Sequence, residues 1–195
     1  MTTPSPETDQ LDPRVRRTLQ SLEQAFADIL REKGFQAATV QDITRRAGVN
    51  RATFYAHFPD KYALLDHSIR QGFLHEINKR MLNACHYTPE NLHNLIVAVC
   101  EFIRGSTLRC KTPQPQFESL VETQVKAVLQ GLLLKWLEQV KTDVPPQTAA
   151  TAGSWAIYGL ASQWSHTKRT KSAEQFATDV LPVVAANFRL TPAAA

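Results

Sequence analysis

Apolar residues recur at steps of three and four along nearly the whole chain. Val15, Leu19, Leu22, Phe26, Ile29 and Leu30 share one helical face. Asp12 stands where a cap is needed, Pro13 suits the first helical position, and Gly34 can take the left-handed conformation that ends a helix. The spacing predicts a first helix over 13–33. Thr39, with Asp42 three residues on, starts a short helix over 40–47, which Gly48 breaks. Asn50 starts another over 51–58, and Pro59-Asp60 separates it from a fourth over 61–83. The fourth helix carries Tyr62, Leu65, Ile69, Phe73, Ile77 and Met81 on its apolar side. Further helices are predicted at 89–109, 116–141, 146–166 and 172–189. No alternating run is bounded by Asn-Gly or Asp-Gly turns, and no internal repeat is visible. The fold class is all-α, with eight or nine helices.

Composition narrows the class. Of 195 residues, 43% are hydrophobic and 21% charged, enough apolar surface for one or two packed units. The three cysteines, Cys85, Cys100 and Cys110, show no CxxC spacing, which argues against a disulfide scaffold or a zinc finger. His93 and Cys100 are seven apart on one helical face, with Cys85-His86 upstream, but the spacing matches no standard zinc pattern. No metal or cofactor is expected. Met1 to Gln10 is polar and carries Glu7 and Asp9, so no secretory signal is read there and a cytoplasmic protein is expected. The longest uncharged stretch, Val144 to Thr167, is too polar to cross lipid. The net charge is only +4; residues 12–65, with nine basic against six acidic side chains, are its densest part. No Gly-x-Ser-x-Gly elbow, HExxH or phosphate-binding loop occurs, so no enzyme is expected.

The chemistry concentrates in 39–65, TVQDITRRAGVNRATFYAHFPDKYALL. Two short helices joined at Ala47-Gly48-Val49-Asn50 read as a helix-turn-helix. Val40, Ile43 and Ala47 share a face of the first, and Phe54 and Phe58 share one on the second. Eight residues span about 12 Å, close to the roughly 12 Å width of the B-DNA major groove. The outward residues Asn50, Arg51, Ala52, Thr53, Tyr55 and His57 offer donors, a methyl and an aromatic hydroxyl, suited to base edges and phosphates.

This segment resembles the DNA-binding domain of TetR/AcrR-type transcriptional regulators. Thr39, Asp42, Ile43, Ala47, Gly48, Val49, Thr53, Phe54, Tyr55, His57, Phe58, Asp60, Lys61, Leu64 and Leu65 carry the resemblance, with Phe26 and Gly34 ahead at the usual distance. It implies phosphate contacts from Thr39, Tyr55, His57 and Lys61, and base contacts from Gln41, Arg51, Ala52 and Thr53. Arg45 and Arg46 are placed for phosphate or a base. Arg14, Arg16 and Arg17 resemble a basic lead-in that sometimes reaches the minor groove, against a plain solvated face.

The resemblance implies four segments: tails at 1–11 and 191–195, a DNA-binding domain over 12–59 and an effector-binding and dimerisation domain over 60–190. Its pocket would be lined from Phe73, Phe102, Phe117, Trp136, Trp155, Tyr158 and Trp164, which favours an apolar or aromatic effector. The uncharged, small-residue helix over 146–166 reads as buried on more than one side. Together with the last helix it implies a homodimer interface from Trp155, Gly159, Ser162, Phe176, Val180 and Val184. Plain core packing is the other reading for each of these residues. The expectation is a bacterial, homodimeric repressor released from a palindromic operator by a small molecule. A ligand-independent architectural or cell-division DNA-binding protein is the alternative.

Overall fold

The computed structural model describes residues 12–80, 85–109, 115–167 and 171–188. The expected tails, Met81 and Cys110 lie outside them. Among the described residues eight helices follow in order: α1 Pro13–Ala37, α2 Val40–Ala47, α3 Arg51–His57, α4 Lys61–Arg80, α5 Pro89–Arg109, α6 Pro115–Leu137, α7 Pro146–His166 and α8 Ala173–Ala186. No β-strand forms among the described residues.

Local signals explain most of the ends. Asp12 accepts from the Arg14 amide, and Pro13 follows as predicted. At Gly34 the backbone leaves the helix (φ 76°, ψ 171°), so the regular part of α1 ends there, but Phe35 to Ala37 make one further turn. α6 stops at Leu137, short of the predicted 141. The amides of Gln139 and Val140 there turn back to the carbonyls three residues earlier, Trp136 and Leu137. Ser172 and Gln175 form a reciprocal capping box that starts α8, and Asn187 donates its side-chain amide to the carbonyls of Val183 and Val184 at the other end.

The chain divides into two compact units. The first holds α1, α2, α3 and α4 as far as Gln71, with 107–120. Within it α1 packs on α2 and α2 on α3. Leu22, Phe26, Ile29, Phe35, Ile43, Phe54, Phe58, Leu64 and Leu65 are buried there. The second holds the rest of α4, most of α5 and α6, and α7 and α8. Its buried residues include Phe73, Leu92, Phe102, Leu129, Leu133, Trp136, Ile157 and Phe188.

In the single chain α7 keeps one open face: Ala152, Trp155, Gly159 and Gln163, spaced three or four apart, are exposed along it, and Trp155 is 61% exposed. On α8, which packs against α7, Val183 is 60% exposed.

Candidate nucleic-acid interface

The two short helices are fixed by their own ends. The Thr39 hydroxyl accepts from the Asp42 amide, and Asp42 accepts in return from the Thr39 amide. Lys33, from α1, reaches the same carboxylate at 2.6 Å. These hydrogen bonds, Lys33's first and then Thr39's, hold the Asp42 carboxyl down to about 2. Gly48 then takes the left-handed conformation (φ 68°), its amide returning to the Thr44 carbonyl, and the Val49 amide donates to the same oxygen. This sharp stop separates α2 from α3 by three residues.

α3 begins at Asn50, whose Oδ1 accepts from both the amide (2.7 Å) and the hydroxyl (3.0 Å) of Thr53. Phe54 and Phe58 face inward, fully and almost fully buried. That leaves Asn50, Arg51, Ala52 and Tyr55 exposed, and Thr53 and His57 half-buried. Tyr55 is 54% exposed, its ring edge-on to Phe54 at 5.4 Å. From α2, Thr39, Gln41 and Arg45 are also exposed, and Gln41 accepts a long 3.5 Å hydrogen bond from Arg51. Thr39, Gln41, Arg45, Asn50, Arg51, Ala52 and Tyr55 thus present polar atoms and one methyl to solvent from two adjoining short helices.

Two predicted contacts are engaged elsewhere. Arg46 grips Glu32 of α1 with both terminal nitrogens, at 2.5 and 2.9 Å. That pairing raises the Arg46 pKa and lowers that of Glu32. Lys61, the first residue of α4, turns back and donates to the carbonyls of Phe35 (3.1 Å), Gln36 (3.2 Å) and Ala38 (3.0 Å). Its ammonium lies 4.7 Å above the Phe35 ring, and partial burial lowers its pKa. Sequence spacing did not reveal Glu32, Lys33 or Phe35 as partners. Nor did it reveal the bond at 2.7 Å between His67 of α4 and Glu23 of α1, with the His67 ring 5.3 Å from that of Phe58.

The residues expected to line a ligand pocket fall in several places. Phe73 and Phe102 pack together at 5.1 Å. Trp136 is fully buried and backs a surface hollow with Cys85, Leu132, Lys135, Glu138 and Gln139. Trp164 stacks on Phe176 at 5.9 Å and donates to the Lys171 carbonyl. Phe117 is buried in the first unit. Trp155 is a correction: it projects into solvent with the Lys126 ammonium 3.8 Å from its ring, and Tyr158 lies 6.0 Å from the same ammonium. Val184 is a second correction. It is fully buried within the chain, so it is core and not an interface residue, because its side of α8 faces the interior. Ser162, Phe176 and Val180 are half-buried and Gly159 is exposed. His93 bonds the Glu174 carbonyl and the Thr178 hydroxyl, tying α5 to α8. Cys100 is sealed in the core, and burial pushes its thiol up to about 12.

The geometry defines a helix-turn-helix whose second helix shows its polar side to solvent. Residues 24–67 match the family described as bacterial regulatory proteins, tetR family. The match to that family is confined to this segment, and two curated proteins match over part of their length. Over 64 residues it is 44% identical to the uncharacterized HTH-type transcriptional regulator YxbF of Bacillus subtilis, covering 32% of this chain and 17% of that protein. Over 75 residues it is 36% identical to the HTH-type transcriptional repressor KstR2 of Rhodococcus jostii, covering 38% and 35%. The match therefore spans well under half the length of these two relatives. Among solved structures, a TetR-family regulator from Streptomyces coelicolor has a TM-score of 0.64 at 17% identity, over 91% of this chain and 97% of that one. FadR from Bacillus subtilis, solved with stearoyl-CoA, has a TM-score of 0.56 at 15% identity, over 86% and 98%. These likenesses extend the shared all-helical fold beyond the helix-turn-helix. No helix among the described residues is long and apolar enough to cross a membrane.

Proposed function

We propose that the chain is a homodimeric transcriptional repressor that binds a palindromic DNA operator through α2 and α3 and is released by a small apolar or aromatic ligand. The observation that carries this reading is α3 itself. Asn50 caps it, Phe54 and Phe58 anchor it, and Arg51, Ala52 and Tyr55 are left facing solvent. Arg51 has the fork geometry to take guanine O6 and N7, while Ala52 suits a thymine methyl. Thr39 and Tyr55 serve phosphates, which set register without reading sequence. Residues 12–59 form the DNA-binding domain, and 60–190 serve effector binding and dimerisation.

Two further observations support the finer parts. α7 carries no Asp, Glu, Lys or Arg, and exposes Trp155 and Gly159 on a face that a second copy would cover. A related fold, that of FadR, is solved holding stearoyl-CoA, which supports an apolar effector here. In a dimer the two α3 helices need to sit about one DNA turn apart, roughly 34–36 Å. A ligand that favours a dimer with another spacing weakens DNA binding by the same coupling free energy.

The test is selection of bound fragments from random-sequence DNA by the purified protein at about 0.15 M salt. A short palindrome is the expected product. Recovery of unspecific, salt-sensitive fragments alone would refute operator recognition and favour the architectural alternative.

A further inference from the structure

We propose that Lys61 is a positioning residue of DNA recognition, a clamp that fixes the corner between α1 and α2, and not a phosphate ligand; this rests on the reading of α2 and α3 as the DNA-binding face. The last carbonyls of a helix have no partner within it and carry its negative dipole end. Beyond the break at Gly34, the carbonyls of Phe35, Gln36 and Ala38 lie at that end, the first of them also accepting from the Ala38 amide at 3.2 Å, and Lys61 meets all three at 3.0–3.2 Å. An ammonium has three N–H donors, so none is left for a phosphate in this arrangement. The floor of the site is aromatic: Phe35 lies under the ammonium and is edge-on to Tyr62 at 5.0 Å and Phe26 at 6.3 Å.

The amino end of α4 is also unfavourable for an added anion. Asp60 accepts there from the amides of Tyr62 and Ala63, at 2.8 Å each, so a carboxylate already occupies it. The clamp has leverage because of where its ends lie in the chain. Ala38 immediately precedes Thr39, the cap of α2. Lys61 follows α3 by only Phe58, Pro59 and Asp60. A single side chain therefore ties the entrance of the helix-turn-helix to its exit.

The test compares the wild type with Lys61→Met and Lys61→Arg. A milder Lys61→Gln, which keeps two N–H donors, replaces the methionine variant if that one does not fold. Affinities for the selected palindrome and for a random duplex of equal length are measured across a salt series. Amide hydrogen exchange is followed over residues 38–43. For Lys61→Met we expect exchange there to quicken about tenfold. The palindrome-to-random ratio should fall about tenfold, the share of one misaligned base contact. The log–log salt slope should not change, and Lys61→Arg should restore the ratio. A slope shallower by about one would show a lost phosphate contact and overturn the proposal. Faster exchange with an unchanged ratio would make Lys61 merely structural and overturn it too. If the wild type itself prefers no sequence, the DNA reading fails, which is distinct from a wild type that discriminates and a variant that does so equally well.

Discussion

A methyl group at Gly153 would lie 2.4 Å from Cε1 of Phe188, 3.0 Å from its Cζ and 3.2 Å from Cδ1 of Leu133. Carbon atoms in contact prefer about 3.5–4.0 Å, so the Phe188 ring has to retreat by more than about 1 Å. It has little room, because Phe188 and Leu133 are fully buried and the ring is already edge-on to Tyr87 at 5.8 Å. Overpacking of this kind costs about 1–3 kcal/mol, and alanine recovers about 1 kcal/mol of helix propensity over glycine. Gly153→Ala should therefore destabilise by about 1 kcal/mol. Gly131→Ala is the control: the glycine is exposed in α6, and nothing lies within 4 Å of its added methyl. It receives only the propensity gain, about 1 kcal/mol of added stability. Urea unfolding of both variants at one protein concentration reads the difference, the fixed concentration being needed because association shifts apparent stability. The two should differ by about 2 kcal/mol, and a Gly153→Ala as stable as Gly131→Ala would refute the packing argument.

Asp42 should give the domain an acid-sensitive element. Its carboxyl titrates near 2 in the fold against an ordinary 3.8, so its contribution is complete above about pH 4 and is lost as pH falls towards 2. The urea midpoint of Asp42→Asn should accordingly vary less with pH across that window than the wild type's, and parallel profiles would contradict the role of Lys33 and Thr39. Trp155→Glu should turn a dimer into a folded monomer, since its side chain is already in solvent in the single chain. Sedimentation with circular dichroism reads both properties, and an intact dimer would exclude that face of α7 as the interface.

The helix-turn-helix was legible because its determinants act over three or four residues. Thr39 with Asp42, Gly48 after Ala47, and Asn50 with Thr53 each settle a helix end locally. The charged partners were not legible for the opposite reason. Arg46 meets Glu32 from 14 residues away, Lys61 meets carbonyls 23–26 residues back, and His67 meets Glu23 across 44. Nothing in the spacing marks such pairs. Aromatic residues were ambiguous for a third reason, since helical periodicity shows an apolar face and not what covers it. Trp136 and Trp155 look alike in the sequence, yet one is sealed and the other stands beside Lys126 in solvent.

Whether α3 reads bases is tested most directly by the affinity ratio between the selected palindrome and a random duplex, for the wild type and Arg51→Ala. The wild type should prefer the palindrome by about 10³-fold or more at physiological salt. Arg51→Ala should lose about 1–3 kcal/mol of that preference while holding random DNA nearly as well, because base contacts specify and phosphate contacts position. Equal losses on both duplexes would place Arg51 on the backbone, and a wild type without preference would contradict the account as a whole.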